Sequence, residues 1–286
     1  MPLVSVCIPT YNGELFLAEA LESVLKQTFT DFELIVCDDA STDRSEEIAA
    51  SVRDPRVRVE RNPVRSGLVG NWNRCLTHAR GEFVTVFHQD DRMLLHHLED
   101  AVTLLRSHPN IGFVHSRPRE IDNQGRLLDQ CTWSRDSTDA VVDGRQFVTA
   151  MLQGPNIVCC PTVMMRRTCY EQLGLFDARL PYTADWEMWM RIALIWDVAY
   201  LAEPRVEYRW HGRNETFNFY PRSRGVKQCI AAKRLLIEKY PERVPDLEGQ
   251  RKSIRRYQRR DALNIMRECL RRREFTEALK CAALLW

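Results

Sequence analysis

Phe83-Val84-Thr85-Val86-Phe87-His88-Gln89-Asp90-Asp91 is an apolar run that stops abruptly in two adjacent carboxylates. The stretch from Phe83 to Phe87 reads as a buried strand, because aromatic and β-branched side chains pack well on a pleated surface. Asp is a poor strand former, so the strand is expected to end there. In open α/β sheets, ligands bind outside the carboxyl ends of the strands. The histidine before Asp90 completes a donor set that suits a divalent cation and its phosphates. The competing reading makes Asp90 and Asp91 the cap of a helix near 93–105.

The same arrangement occurs upstream. Phe32-Glu33-Leu34-Ile35-Val36-Cys37 reads as a strand and ends in Asp38-Asp39. Val4-Ser5-Val6-Cys7-Ile8 reads as the first strand, broken by Pro9 and followed by Thr10-Tyr11-Asn12-Gly13, a loop with turn chemistry. Between these strands, Phe16, Ala20 and Val24 recur at helical spacing, as do Leu17, Leu21 and Leu25, which predicts a helix over 14–27. A capped helix over 44–52, a strand over 56–61 and a helix over 67–79 follow. This β-α-β-α-β-α-β order predicts a mostly parallel sheet with right-handed crossovers. Beyond residue 110 the rhythm changes. Short strands are expected at 111–116, 162–165, 198–201 and 206–210, and helices at 143–152, 168–173 and 185–196. The stretch 117–143 is polar and irregular. From 223 onward, helical segments are punctuated by Pro241, Pro245 and Arg271-Arg272-Arg273.

Apolar content of 44% and charged content of 28% are ordinary for a globular chain of 286 residues. No apolar run of about 18 residues predicts a membrane span, and the first residues lack the basic and apolar regions of a secretory signal. The 10 cysteines contain no C-x-x-C pair, which argues against a zinc ribbon and for a reducing compartment. A cytoplasmic location is expected. Net charge is +2 but uneven: residues 222–280 hold 18 Lys and Arg against 8 Asp and Glu, a net +10, so the remainder carries −8. That segment is read either as a solvated helical face or as a peripheral contact with the anionic inner face of a membrane. Nucleic acid is not indicated, since no aromatic platform or reader motif accompanies the charge.

In a parallel sheet the loops after these strands open on one edge. That edge would hold the Thr10 hydroxyl, the Tyr11 ring and both acid pairs, a set suited to a nucleoside diphosphate with Mg²⁺ or Mn²⁺. The loop after the first strand is not glycine-rich, which argues against a dinucleotide fold and a P-loop.

Taken in order, several stretches resemble family 2 glycosyltransferases of the GT-A fold. They are Val4 through Gly13, Leu21 through Thr28, Phe32 through Asp43, Gly81-Glu82-Phe83, Gln89-Asp90-Asp91 and Asp185-Trp186-Glu187. The resemblance implies a GT-A domain over 1–220, with a nucleotide-binding half at 1–116 and an acceptor half at 117–220, and a basic helical extension over 221–286. It implies that Pro9, Thr10 and Tyr11 line the nucleoside pocket, with Asn71 and Gln89 beside it. Asp39, with Asp38, would bind the base or ribose. Asp90 matches the second acid of the family's D-x-D metal motif, and His88 stands where the first acid would be. A neutral imidazole can ligate Mn²⁺ but suits Mg²⁺ less well. His211, after Tyr208-Arg209-Trp210, matches a late histidine near the metal and diphosphate. Asp185 matches the catalytic base of inverting members. It also stands where a helix N-cap is expected, and a helix dipole favours an ionised acid there. Glu187 is the fallback acid, about 200° around the helix from Asp185. Trp133, in a polar stretch, is the candidate for stacking on an acceptor sugar, with a loop anchor as its alternative, and Trp186 is read either as core or as an acceptor-side aromatic.

The implied reaction moves a sugar from a UDP-sugar or dTDP-rhamnose to a hydroxyl of a glycan or lipid-linked acceptor, with inversion. The rival readings are a nucleotidyltransferase and a catalytically silent nucleotide-binding protein.

Overall fold

The computed structural model describes residues 1–129, 133, 137–219 and 222–285. The sheet strands lie in the spatial order Val57–Arg61, Phe32–Asp38, Val4–Thr10, Phe83–Val86, Met164–Arg166, Ile111–Ile121, Asp197–Arg209 and Arg92–Met93, with Ala140–Val142 also on Asp197–Arg209. Its first half follows the expected alternation. Strand β1 (Val4–Thr10) pairs in parallel with β2 (Phe32–Asp38) and with β4 (Phe83–Val86), and β2 pairs with β3 (Val57–Arg61). The crossovers are α1 (Leu17–Leu25), α2 (Ser45–Ser51) and α3 (Leu68–His78). Both faces of β1 and β4 are covered, which is why these strands read as continuous apolar runs.

The second half departs from a mostly parallel sheet. Strand β8 (Met164–Arg166) inserts antiparallel between β4 and β6 (Ile111–Ile121). So short a strand has no periodicity that could announce its direction. The two strands expected at 198–201 and 206–210 are one, β9 (Asp197–Arg209), parallel to β6 and kinked opposite Ser116 and Pro118. Proline is tolerated at such an irregularity because no ladder donor is needed there. The polar stretch 117–143 is partly strand: β6 continues to Ile121, and β7 (Ala140–Val142) pairs with β9.

The helix expected at 93–105 begins later, as α4 (His97–Ser107). Residues Arg92–Met93 instead form β5, an edge strand antiparallel to β9. Asp91 caps nothing: its Oδ1 accepts the Arg209 backbone N–H at 2.8 Å.

Two hydrophobic cores flank the sheet. One holds Leu17, Leu21, Phe83, Leu98 and Leu105. The other gathers α5 (Gly144–Gln153), α6 (Arg167–Leu173) and α7 (Ala184–Ala193), and it continues into α8 (Ser223–Lys239), α9 (Leu247–Arg271) and α10 (Phe275–Ala282). Ile230, Leu236, Ile254 and Ile265 of the basic segment belong to the same core as Trp186, Trp189 and Phe113. The basic segment's apolar side is therefore closed against the sheet-bearing part, and its arginines face out. No helix among the described residues is long and apolar enough to cross a membrane.

Candidate active site

A cavity of about 680 Å³ opens at the carboxyl ends of β1, β2 and β4. Its first end is built by the loop after β1. Asn12 adopts φ 48°, and Gly13 lies so close to Gln89 that an added Cβ would stand 2.2 Å from the amide oxygen. That close approach lets Gln89 hold the loop from both sides: its Oε1 accepts the Tyr11 N–H at 3.0 Å and its Nε2 donates to the Tyr11 carbonyl at 3.1 Å. The Tyr11 ring carries the Arg65 guanidinium 3.9 Å from its centroid.

Side chains alternate along a strand, so the two acids at the end of β2 part company. Asp39 lines the cavity, whereas Asp38 is fully buried and does not. Asp38 Oδ2 accepts the Ser41 N–H at 3.0 Å and faces Arg61 at 3.7 Å, so it fixes the loop rather than the ligand. Asp39 Oδ1 accepts from Asn62 Nδ2, Ser66 N and Ser66 Oγ, each at 2.7 Å, while Oδ2 accepts only the Gly67 N–H, at 2.8 Å. Burial opposes its ionisation, but the Ser66, Asn62 and Gly67 donors outweigh it and hold the carboxyl below its usual range. Oδ2 thus keeps acceptor capacity for a base N–H or a ribose hydroxyl. Asn71, also in the wall, donates to the Cys37 carbonyl at 2.8 Å and ties α3 to β2. Pro9 and Thr10 complete this end.

Past the end of β4, ligand atoms of His88, Asp90 and Asp91 lie within 4.8 Å of one another. His88 stacks on Trp72, centroids 5.7 Å apart. Its Nδ1 faces Asp91 Oδ2 at 3.5 Å, too long for a good hydrogen bond. His88 Nε2 and Asp91 Oδ2 are both buried without a hydrogen-bond partner among the described residues. Burial disfavours the His88 imidazolium, yet Asp91 and Cys160 outweigh it and lift its pKa well above the ordinary value. Burial pushes Asp91 up to about 6, with His88 pulling the other way. Two carboxylates and an imidazole with unsatisfied buried atoms fit a divalent cation, whose binding would displace the histidine proton. Asp91, read from the sequence as the second acid of a metal-binding pair but not matched to the D-x-D motif, is part of the set.

His211 stands behind Asp90, its Nε2 at 2.8 Å from Asp90 Oδ2. The Arg213 backbone N–H donates to His211 Nδ1 at 3.1 Å, so the ring proton sits on Nε2 and is donated to Asp90. His211 thus meets Asp90, while the group of mutually close ligand atoms is His88, Asp90 and Asp91. Arg209 reinforces the arrangement by donating from Nε to the Asp90 carbonyl at 2.7 Å.

Asp185 lines the cavity from the first turn of α7, at its second helical position; the N-cap is Thr183. Burial pushes its carboxyl up to about 6 against the Trp186 and Asp185 backbone N–H groups, the His88 charge and Asn156. Asn156 Nδ2 lies 3.5 Å from Asp185 Oδ2. Trp186 and Trp133 also line the cavity, and the Trp133 ring meets Tyr208 edge-on at 6.2 Å. Glu187 does not line it. Its side chain is 2% exposed and bonds Arg191 at 2.9 Å, while Arg191 also donates to the carbonyls of Leu173, Gly174 and Leu175. The fallback acid is thus a structural ion pair. Sequence reading also missed Arg65, Asn156, Cys160, Tyr257 and Asp261 in the wall. They come from loops and from the basic segment, and no local pattern marks them.

The sequence pattern of glycosyl transferase family 2 matches residues 5–174. An uncharacterized protein of Mycobacterium tuberculosis is 35% identical over 207 residues, covering 68% of this chain and 62% of that protein. The Escherichia coli UDP-Glc:alpha-D-GlcNAc-diphosphoundecaprenol beta-1,3-glucosyltransferase WfgD is 28% identical over 190 residues, covering 66% of this chain and 69% of that enzyme. The chain thus spans less than two thirds of the first relative's length. In three dimensions, S. aureus TarS 1–349 in complex with UDP-GlcNAc superimposes with a TM-score of 0.72 at 22% identity, over 90% of this chain and 72% of that one. The fold is that of a GT-A glycosyltransferase, and the chain belongs to glycosyl transferase family 2.

Proposed function

We propose that the chain is an inverting glycosyltransferase acting by single displacement, with Asp185 as its base. The observation that carries this reading is the shared cavity. Asp185, whose carboxyl burial pushes up to about 6, opens into the same space as His88 and Asp90 of the metal-type cluster and the Tyr11–Asp39 end. A base works best when its pKa lies near the operating pH. In the step, the acceptor O–H bond breaks and its proton passes to an Asp185 carboxylate oxygen. The freed oxygen pair bonds the anomeric carbon, and the bond from that carbon to the diphosphate breaks with its electron pair leaving on the diphosphate. Asn156 orients the base, and Trp72 and Trp186 keep water from the reacting centre. Tyr11 and Asp39 hold the nucleoside. Mn²⁺ or Mg²⁺ held by His88, Asp90 and Asp91, with His211 steadying Asp90, would neutralise the diphosphate.

The donor in this reading is a UDP-sugar, supported by the UDP-glucose in the name of WfgD and the UDP-GlcNAc bound to TarS. A dTDP-deoxyhexose such as dTDP-rhamnose is the other donor that the Gln89-Asp90-Asp91 pattern allows. The acceptor is a glycan carried on a lipid, as in the name of WfgD. The place of work is then the cytoplasmic face of a membrane in cell-envelope polysaccharide synthesis, with the exposed basic residues of 222–280 on the anionic surface.

The test is release of nucleoside diphosphate from a panel of UDP- and dTDP-sugars, with Mn²⁺, with Mg²⁺ and with chelator. The expected result is turnover of one donor, lost in Asp185→Asn and Asp90→Ala. Pyrophosphate released from a nucleoside triphosphate would instead mark a nucleotidyltransferase. Nucleotide binding without turnover of any donor would mark a silent protein.

A further inference from the structure

We propose that α8 and α9 supply the acceptor-sugar subsite. Trp186 and Tyr257 form its apolar wall, and the Asp261 carboxylate accepts the hydroxyl or ammonium hydrogens of a neutral or amino sugar while turning away a sugar that is anionic there. The proposal rests on the transferase reading and extends it to the acceptor.

The cavity wall opposite the nucleoside end comes from the basic segment: Gly225 and Cys229 of α8, and Tyr257 and Asp261 of α9. Asp185 sits on α7 next to Trp186, whose ring meets Tyr257 of α9 at 6.4 Å, so the wall made by α8 and α9 lies on the Asp185 side of the cavity. His88 and Asp90 enter the same cavity from the end of β4. In a single displacement the acceptor enters beside the base, on the side away from the leaving diphosphate. That side is the one closed by α8 and α9.

The chemistry of this wall suits a sugar. Tyr257 and Asp261 are one helical turn apart and share a face of α9. The Trp186 and Tyr257 rings meet edge-on at 6.4 Å and both line the cavity, where their carbon atoms can meet the C–H face of a pyranose; Lys233 Nζ lies 4.9 Å from the Trp186 centroid. Asp261 makes no hydrogen bond or ion pair among the described residues, which leaves its acceptor positions for a ligand. Two cations act on it through space, Lys233 and Arg260. Lys233 is tied elsewhere: its Nζ donates to the Gly154 carbonyl at 2.7 Å and lies 3.3 Å from the Tyr257 centroid. Burial also pulls it down to about 7. Arg260 is exposed, 5.4 Å from the Tyr257 centroid. A carboxylated or phosphorylated sugar would therefore meet Asp261 with its nearest buried cation already engaged.

The experiment measures binding, so it does not depend on turnover. The full chain, with and without UDP, is titrated with methyl glycosides of glucose, N-acetylglucosamine, glucosamine, rhamnose and glucuronic acid, followed by saturation-transfer NMR. At least one neutral or amino glycoside should bind and the glucuronide should not. Asp261→Ala should weaken the bound glycoside about tenfold, the scale of one hydrogen bond to a charged group, with Asp261→Asn intermediate. UDP affinity, measured on the same samples, reports whether each variant is folded. Equal binding of neutral and anionic glycosides, unchanged affinity in Asp261→Ala, or binding of none of the glycosides would overturn the proposal. Loss of UDP binding in the wild type would instead count against the transferase reading, and the glycoside titration would still decide this one.

Discussion

At Asp185 two local effects oppose each other, and their magnitudes decide the outcome. A helix start favours an ionised acid by at most about 2 kcal/mol. Burial favours the neutral form more strongly, and the carboxyl stands at about 6 rather than 3.8. Two consequences follow in opposite directions. Asp185 is ionised only above that value, so under the proposed role kcat/KM should fall about tenfold per pH unit below about pH 6 and level off above it. A pH–rate profile checks this, and a profile flat down to pH 4.5 would remove Asp185 from the role. For stability, the fold prefers the protonated acid, so the favourable contribution is complete below the unfolded pKa and is lost as pH rises through about 6. Asp185→Asn removes that penalty. The variant should be inactive yet more stable at pH 7.5, by up to about 3 kcal/mol in urea denaturation. His88 gives a second residue-scale prediction. His88→Ala should weaken Mn²⁺ binding at least tenfold in calorimetric titration, and His88→Asp should improve Mg²⁺ relative to Mn²⁺. The sequence displayed Asp90, His88 and Asp185 through their neighbours. It could not show that Asp91 turns inward, because the group that holds it, Arg209, lies 118 residues away.

Each functional element is braced by a contact that its own sequence does not announce. The loop after β1 is held by Gln89, and the clearance depends on Gly13. In Gly13→Ala the new methyl would push the end of a flexible amide, so the global cost should stay near 1 kcal/mol. The Tyr11 bonds would be lost, however, and UDP affinity should drop about tenfold by calorimetry. Helix α7 carries Asp185 at one end and the buried Glu187–Arg191 pair further along. Glu187→Gln leaves a buried guanidinium without its counter-charge and should cost about 3 kcal/mol of unfolding free energy. Turnover per folded molecule should stay near wild type; a large drop in kcat with unchanged stability would restore Glu187 as a catalytic candidate. The helical period placed Asp185 and Glu187 on different faces from sequence alone. Which face met the cavity required the packing of α5, α8 and α9 around α7.

For the molecule as a whole, the basic segment is the part that changes meaning most on folding. Read as sequence it is a charged helical tail; in the structure its apolar side completes a core with Trp186 and Phe113, and its inner residues wall the cavity. Deleting 222–286 should expose that core and abolish cooperative unfolding, giving an aggregating chain by light scattering. A stable, UDP-binding 1–221 fragment would contradict this. The outward arginines, including Arg251, Arg255, Arg256 and Arg259, leave a cationic surface. Sedimentation with vesicles rich in anionic lipid should carry the protein down at 50 mM salt and release it at 500 mM, because such attraction is screened. What the sequence determined by itself is the first half of the sheet: its strands, their alternation with helices, and acids at the strand ends. Those features are written locally, in apolar runs with a period of two or none and in helices with a period near four. What only the tertiary structure decided is which acid of each pair faces the cavity, how His211 meets Asp90, and that the last helices line the cavity. These depend on side chains brought together from distant parts of the chain, and no local period encodes such meetings.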